Sequence, residues 1–309
     1  MISKLIKKIF TNSNHKEFTK SISLSGKACL LAKQNKYDEY KDINQAEFKI
    51  FSQNGEDGII DYLLYKLKIQ DPIYVEIGVE NYDESNTRFL YETTNSQGLI
   101  IDSDIDEKKL NQKFETWKGR LSISNELITA ENTSDILKNK NYNKELDLFS
   151  IDIDGIDYWV IKSLRDKISK IFIAEYNPLF GPEIEVSVPN IKNFNRTEYH
   201  YSNLCWGMSL KSLINLMVRK GYIFLGTNAL KNNAFFVQKF YQNNFEQVYK
   251  NINLDDLGKY TNHTFCESRD KKSNLTFLNL KQQIELIKEC KVVDLSSKNE
   301  KLVTIKELI

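Results

Sequence analysis

The chain has 309 residues, of which 41% are apolar and 28% are charged, the profile of a globular protein with a substantial core. Its 43 lysines and arginines nearly cancel its 42 aspartates and glutamates, which gives no electrostatic reason to expect nucleic acid as a partner. The 4 cysteines form no C-x-x-C pair, which argues against a disulfide framework or a zinc–thiolate site. No stretch approaches the roughly 20 apolar residues that span a bilayer. We therefore expect a cytoplasmic protein without a transmembrane segment.

The composition changes twice along the chain. Residues 1–50 are polar and lysine-rich with helical spacing, and predict an N-terminal helical extension. Residues 51–240 alternate short apolar runs with amphipathic segments, which is typical of repeated strand–helix units. Residues 241–309 are polar again, with a helical piece near 279–290, and predict a C-terminal appendage. We expect both ends to cover the core, shape a substrate site or form a homo-oligomer contact.

Short runs in the middle part are apolar on both faces, as parallel strands covered by helices must be. These strands are predicted at 73–79, 98–102, 121–125, 146–152 and 170–175. Helices are predicted at 86–94, 105–116, 133–139, 158–167 and 209–220. A polar turn joins two further runs in 221–239, which predicts a hairpin. The sequence thus predicts an α/β fold with a Rossmann-like, mostly parallel sheet that ends in an antiparallel hairpin.

Acidic and amide side chains fall at the carboxyl ends of these strands, where ligands bind in an open parallel sheet. Buried acids are costly unless they are paired or bind a cationic or donor-rich ligand. The stretch I-Y-V-E-I-G-V-E-N-Y at 73–82, the first strand and the start of its loop, has Glu80 and Tyr82 where a phosphate-binding loop needs glycines. A pyrophosphate therefore does not suit this rim, whereas S-adenosylmethionine, with a sulfonium, an ammonium and a ribose diol, does.

Five motifs then occur in order over about residues 50–240. They are F-S-Q-N-G-E-D-G-I-I, E-S-N-T-R-F-L, L-F-S-I-D-I-D-G-I-D-Y-W-V, A-E-Y-N and G-T-N-A-L-K-N-N-A-F-F-V. With V-E-I-G-V and the acid at Asp102, this order resembles the class I S-adenosylmethionine-dependent methyltransferases, and more narrowly their FkbM-type branch. That branch consists mostly of O-methyltransferases acting on sugars and related natural products.

The resemblance implies a cofactor site at the rim of the sheet. Asp102 is then the acid that accepts both ribose hydroxyls, Asn125 and Glu126 lie beside the adenine, and Asp152 lies near the methionine end. The remaining cofactor contacts are expected from the first loop and from a lid, namely Glu76, Gly78, Asn81, Ser85, Asn86, Gln53 and Glu56. Glu76 also has a structural interpretation, as an acid that binds the backbone amides of the loop.

A metal and a catalytic base are the remaining expectations. Asp152 and Glu175 end adjacent strands, so their carboxylates can converge as Mg²⁺ or Mn²⁺ ligands. With Asn177, they resemble the aspartate–aspartate–asparagine metal site of catechol-type methyltransferases; alternatively, D-x-D-G is a turn that binds local amides. His200 or Asp154 is the expected base for the acceptor hydroxyl, since imidazole has a suitable pKa. A surface histidine without a role is the alternative for His200.

The expected function is methyl transfer from S-adenosylmethionine to a hydroxyl of a sugar, nucleotide sugar or surface-glycan precursor. Heavy use of asparagine and lysine hints at an AT-rich bacterial genome, where such enzymes often modify capsule polysaccharide, including substituents such as a phosphoramidate. A nicotinamide-dependent oxidoreductase would share the strand order and the ribose acid, but it needs the missing phosphate loop. A non-catalytic glycan- or protein-binding module on the same fold is the third alternative.

Overall fold

The computed structural model describes residues 2–297 and 299–309, with side chains from residue 16 onward. Its strands, in chain order, are β1 Ile73–Ile77, β2 Gln97–Asp102, β3 Leu121–Asn125, β4 Leu146–Ile151, β5 Ser169–Glu175, β6 Val186–Ser187, β7 Tyr222–Thr227, β8 Asn233–Gln238, β9 Glu267–Arg269, β10 Leu275–Phe277, β11 Lys291–Asp294 and β12 Lys301–Thr304. The first five strands and the β7–β8 hairpin match the predicted ones within two residues at each end.

Seven of these strands form one sheet in the order β3-β2-β1-β4-β5-β8-β7. The pairs among β1 to β5 are parallel, and β8 is antiparallel to both β5 and β7. This mixed α/β sheet is the Rossmann-like, mostly parallel sheet with a terminal antiparallel hairpin that the sequence predicts. Strand order reverses between β1 and β4, so the crevice beyond their carboxyl ends is where such a sheet binds a ligand.

Helices cover both faces of the sheet. They are α1 Ile2–Lys33, α2 Glu56–Leu67, α3 Arg88–Thr93, α4 Glu107–Phe114, α5 Thr133–Asn139, α6 Asp157–Ser163, α7 Arg196–Tyr199, α8 Leu210–Arg219, α9 Glu246–Tyr249, α10 Gly258–Thr261 and α11 Leu280–Ile287. Two apolar clusters result, one on each face: Phe149 and Phe172 lie in the first, and Leu148 and Ile171 in the second. Neighbouring residues of one strand thus enter opposite cores, which explains the unbroken apolar runs.

The sequence did not predict α2. The burial of this helix explains why. Most of its residues are buried, so it lacks the polar stripe by which a surface helix is recognised. It also packs very closely on the preceding segment, since a Cβ at Gly58 would lie 2.1 Å from the carbonyl oxygen of Ala46. A glycine that normally weakens a helix is required here by the close approach.

The two ends of the chain pack on this sheet. After α1, the aromatic rings of Tyr37 and Tyr40 pack against Tyr62 of α2. At the other end, β11 pairs with both β12 and β6, so a small sheet joins the C-terminal segment to the loop after β5. The four strands β9 to β12 were not predicted because each has at most four residues. The domain boundaries at 50 and 240 stay a prediction.

None of the described helices is both long and apolar enough to cross a lipid bilayer.

A buried histidine in the C-terminal segment predicts loss of stability in acid. His263 is 7% exposed, and neither ring nitrogen has a hydrogen-bond partner in the described part of the chain. Burial lowers its pKa to about 4, below the 6.5 of a free histidine. The unfolded chain therefore binds a proton first, and stability should fall by on the order of 3 kcal/mol as pH drops from 6.5 to about 4.

Urea unfolding of wild type and His263→Phe at pH 7.5 and at pH 4.5 measures this contribution. The variant should lose less stability than wild type between these two pH values, because its aromatic ring cannot be protonated. Equal losses in the two proteins would contradict the assignment to His263.

Candidate functional site

A cavity of about 450 Å³ opens at the carboxyl ends of β1, β2, β4 and β5. Most of its charged lining residues are acids, contributed by nearly every strand at this edge and by the loop after β1. These acids are Glu76, Glu80, Glu84, Asp102, Glu126, Asp152, Asp154 and Glu175. Among the lining residues that the structure describes, Lys192 and Arg196 are the cationic ones. The cavity is therefore suited to a cationic ligand.

Gly78 lets the loop after β1 cross the end of β4. Its φ is +82°, and a Cβ at this position would lie 1.5 Å from the carbonyl oxygen of Asp152. The next positions that a phosphate loop would fill with glycine also adopt left-handed backbone, with φ 48° at Glu80 and 58° at Tyr82. The loop thus adopts backbone conformations that glycine favours without having glycine at these positions. Glu80 lines the cavity, whereas Tyr82 is buried in the core.

Asp102 holds the loop after β1 by hydrogen bonds to its backbone. Its Oδ2 accepts hydrogen bonds from the backbone N–H groups of Val79 and Glu80, at 2.9 and 2.8 Å. Its Oδ1 accepts from the N–H of Asp104 at 3.0 Å. A carboxylate offers about four acceptor positions, so Asp102 can hold the loop and still accept hydrogen bonds from a ligand in the cavity.

Glu76 has the structural role that was its alternative interpretation, and it also borders the cavity. Its carboxylate accepts from the N–H of Asn86 at 2.8 Å and from the N–H and Oγ1 of Thr87 at 2.9 and 2.5 Å. Burial raises the pKa of Glu76 above its ordinary value. Through these hydrogen bonds, Glu76 fixes the segment before α3, where Ser85 and Asn86 line the cavity.

Glu56 and Asp57, the first two residues of α2, position the edge of the cavity without lining it. Oδ2 of Asp57 accepts from the backbone N–H groups of residues 50–52 at 2.7 to 3.0 Å. Oε1 of Glu56 accepts from the side-chain amides of Asn228 and Asn233, at 2.7 and 3.1 Å. Together these bonds attach the F-S-Q-N-G-E-D segment to the β7–β8 hairpin and bring Gln53 to the cavity.

Three carboxylates converge beyond β4 and β5. One oxygen each of Asp152, Asp154 and Glu175 lies within 4.8 Å of the others. Burial, reinforced by the negative charge of Asp154, raises the pKa of Asp152 to about 8. Burial and the charge of Asp152 raise the pKa of Glu175 above its ordinary value. Asp154 has a left-handed backbone, φ 52°, and forms an ion pair with Arg196.

Asn177 does not join this group. Its Nδ2 donates to the carbonyl oxygens of Leu204 and Trp206, at 2.9 and 3.0 Å, and its Oδ1 accepts from the N–H of Leu179 at 3.1 Å. It is fully buried and is not among the lining residues. The amide therefore fixes the loop after β5, and Asp154 supplies the third converging oxygen instead.

No protein-family model matches the chain, and no curated protein matches it. Similar solved structures include the N-terminal domain of EvdMO1 in the presence of SAH and D-fucose, with a TM-score of 0.38, 9% identity and coverage of 66% of this chain and 94% of that chain. The pyocyanin biosynthetic protein PhzM has a TM-score of 0.33 and 8% identity, with coverage of 55% and 51%. An O-methyltransferase family protein from Burkholderia thailandensis has a TM-score of 0.31 and 9% identity, with coverage of 54% and 50%. The chain thus spans about half the length of the last two proteins.

Most of the residues predicted to bind the cofactor line the cavity. They are Gln53, Glu76, Gly78, Ser85, Asn86, Asp102, Glu126 and Asp152. Glu56, Asn81 and Asn125 are not lining residues. Glu56 binds the two hairpin amides, Oδ1 of Asn81 accepts from the N–H of Asp83, and Nδ2 of Asn125 donates to the carbonyl of Ile105. Each of these three side chains therefore binds neighbouring segments of the protein and does not line the cavity.

His200 also lies outside the lining of the cavity. Its Nδ1 forms a hydrogen bond of 2.6 Å with Oγ of Ser202, and its ring packs on Tyr201. Burial lowers its pKa. The loop that carries it does reach the cavity, but through the earlier residues Phe194 and Arg196.

Sequence reasoning also missed residues that line the cavity. Asn233 is in the last recognised motif, yet nothing in that motif shows which side chain faces the sheet edge. Its position follows from the pairing of β8 with β5, where Asn233 is opposite Glu175. Lys192 and Arg196 lie in a segment without strand or helix periodicity, so neither could be assigned a direction.

Proposed function

We propose that this protein transfers a methyl group from S-adenosylmethionine to a hydroxyl group of a sugar-containing acceptor. The observation that carries this proposal is the acid-lined cavity at the strand-order switch, where Asp102 ends β2. The sulfonium and ammonium groups of S-adenosylmethionine are cations, and its ribose diol donates two hydrogen bonds. An acidic cavity with acceptors favours all three groups.

The same observations disfavour a nicotinamide oxidoreductase. Its cofactor carries a pyrophosphate that lies against the loop after the first strand and the following helix N-terminus. Here that loop carries Glu80 and Glu84, whose side chains line the cavity. These carboxylates would repel two phosphate charges, and among the described lining residues the acids outnumber the cationic Lys192 and Arg196.

The proposed reaction is an in-line displacement at the methyl carbon. The acceptor oxygen forms a bond to that carbon while the carbon–sulfur bond breaks, and the sulfonium becomes a neutral thioether. The acceptor hydroxyl loses its proton to a base. Asp154 lines the cavity and is half-exposed, so it remains the proposed base when no metal ion is bound. His200, which lies outside the lining, is not proposed for this role.

The converging carboxylates also fit a divalent cation. Carboxylate oxygens are the ligands that Mg²⁺ and Mn²⁺ prefer, and Asp152, Asp154 and Glu175 present one each within 4.8 Å of one another. These residues would hold the ion. When bound, it would act as a Lewis acid that lowers the pKa of the acceptor hydroxyl.

The sugar acceptor is proposed from the resemblance of the motifs at residues 50–240 to the FkbM-type branch, and a nucleotide sugar or capsule precursor is the class to test first. Calorimetric titration should show binding of S-adenosylmethionine and of its demethylated product, and no binding of NAD⁺. Mass spectrometry of nucleotide sugars incubated with protein and S-adenosylmethionine should show the addition of one methyl group. Binding of NAD⁺ without S-adenosylmethionine would support the oxidoreductase alternative, and binding of neither would favour the non-catalytic module.

A further inference from the structure

Two buried oxygen atoms at the floor of the cavity lack a hydrogen-bond partner among the described residues. They are Oε2 of Glu175 and Oδ1 of Asn233. Glu175 is 8% exposed and Asn233 is 4% exposed. Both residues line the cavity. An unpaired buried acceptor costs about 1–3 kcal/mol, and native proteins leave few of them. Oγ of Ser85, another buried lining residue, is a third such atom, and unpaired polar atoms gathered at one cavity indicate a ligand.

The two residues are held on the same side of the sheet. Glu175 and Asn233 are directly opposite each other in the antiparallel β5–β8 pair. Side chains of such a pair project from the same face and are near neighbours. The carboxylate and the amide can therefore contact one ligand together.

The hydrogen bonds of Asn233 fix which end of its amide meets the ligand. Its Nδ2 donates to Oε1 of Glu56 at 3.1 Å, and Glu56 is fully buried. Glu56 is held in turn by Asn228 and by the N–H of Asn54, each at 2.7 Å. The donor end of the Asn233 amide is thus committed, and its oxygen remains for the cavity.

With the converging acids, the floor presents four oxygen acceptors. One oxygen each of Asp152, Asp154 and Glu175 lies within 4.8 Å of the others. Ligand oxygens on opposite sides of a Ca²⁺ ion are about 4.8 Å apart, and those around the smaller Mg²⁺ are closer. Three carboxylates and an amide oxygen form a hard ligand set, which favours Mg²⁺, Mn²⁺ or Ca²⁺ over softer metals.

Arg196 supplies positive charge at the same place. Its guanidinium forms an ion pair with Asp154, and both side chains are partly exposed, at 38% and 46%. A guanidinium only donates hydrogen bonds and stays charged. It cannot be a metal ligand, but it can neutralise Asp154 when no other cation is bound.

We propose that Asp152, Asp154, Glu175 and Asn233 form a divalent-cation site, and that Arg196 competes with the ion for Asp154. Asn233 takes the place that the sequence assigned to Asn177. The inference depends on the proposed function only for its consequence, since an ion held here lies where the acceptor oxygen would be activated. Binding of the ion itself requires neither cofactor nor acceptor.

Titration of the full-length protein with Mn²⁺, followed by electron paramagnetic resonance of the free ion, tests the site without any reaction. Wild type should bind one Mn²⁺. Asn233→Leu and Asp154→Asn should each weaken binding at least about 10-fold. Asparagine tolerates the left-handed backbone at position 154, so that variant should keep its fold. Arg196→Gln should bind Mn²⁺ about 2- to 5-fold more tightly, because the competing cation is removed.

Glu198→Gln is the matched control, because it removes one negative charge from an exposed residue of the same helix as Arg196. Its affinity for Mn²⁺ should equal that of wild type. Absence of Mn²⁺ binding to wild type would overturn the proposal, and so would binding that neither Asn233→Leu nor Asp154→Asn weakens. Calorimetric titration of the same samples with S-adenosylmethionine separates this outcome from failure of the proposed function.

Discussion

Gly78→Ala is expected to destabilise the protein by more than about 4 kcal/mol and to abolish binding of S-adenosylmethionine. The added methyl group would lie 1.5 Å from the carbonyl oxygen of Asp152, so the loop after β1 or the end of β4 must move. Either shift displaces Asp102 or Asp152 from the cavity. Urea unfolding gives the change in stability, and calorimetry gives the change in affinity.

Gly119→Ala is a matched control for this experiment. Gly119 has the same φ of +82°, but none of the described atoms is within 4 Å of its added Cβ. The control should therefore show the cost of a left-handed alanine alone, roughly 1–2 kcal/mol, with unchanged ligand affinity. The difference between the two variants isolates the contact with Asp152. Equal destabilisation would show that the loop after β1 moves aside easily.

Asp102→Ala should weaken binding of S-adenosylmethionine by roughly 2–4 kcal/mol, about 30- to 1000-fold in Kd. The expected direct loss is a charge-assisted contact with two ribose hydroxyls. The structure adds an indirect loss, because Asp102 also holds the N–H groups of Val79 and Glu80. Calorimetric titration with the demethylated cofactor measures the effect without turnover.

Asp104→Ala controls for the loss of one negative charge near the same strand end. Asp104 is exposed and is not a lining residue. Its backbone N–H, which binds Asp102, is retained in the variant. Its Kd should equal that of wild type. An unchanged Kd in Asp102→Ala as well would contradict the assignment of the ribose to this acid.

The strands could be predicted because their signal is local. Each of β1 to β5 is a short apolar run, and its end places the next polar residue at the edge of the sheet. This is why Asp102 and Asp152 could be assigned to one rim from the sequence. An acid after a strand need not face the ligand site, however. Asp157, the first residue of α6, accepts hydrogen bonds from the N–H groups of Ile153 and Gly155 and so holds the local backbone.

Contacts between distant segments could not be predicted. Asn177 and Asn233 are both amides near the end of β5, and either suits an oxygen ligand in composition. What separates them is hydrogen bonding: the amide of Asn177 is used by its own loop, whereas that of Asn233 is oriented by Glu56. The contact between Glu56 and Asn233 depends on the packing of α2 on the hairpin, which no periodicity in the sequence encodes.

The attachment of Glu56 to the hairpin joins segments that are far apart in the chain. Glu56 is 172 residues from Asn228 and 177 from Asn233 along the chain. Strand β8, which carries Asn233, must insert between β5 and β7. During synthesis the acids of β4 and β5 therefore emerge long before the amide that completes the floor of the cavity. Contacts of such high sequence separation form slowly, so we expect the cavity floor to be complete only once β8 has paired with β5.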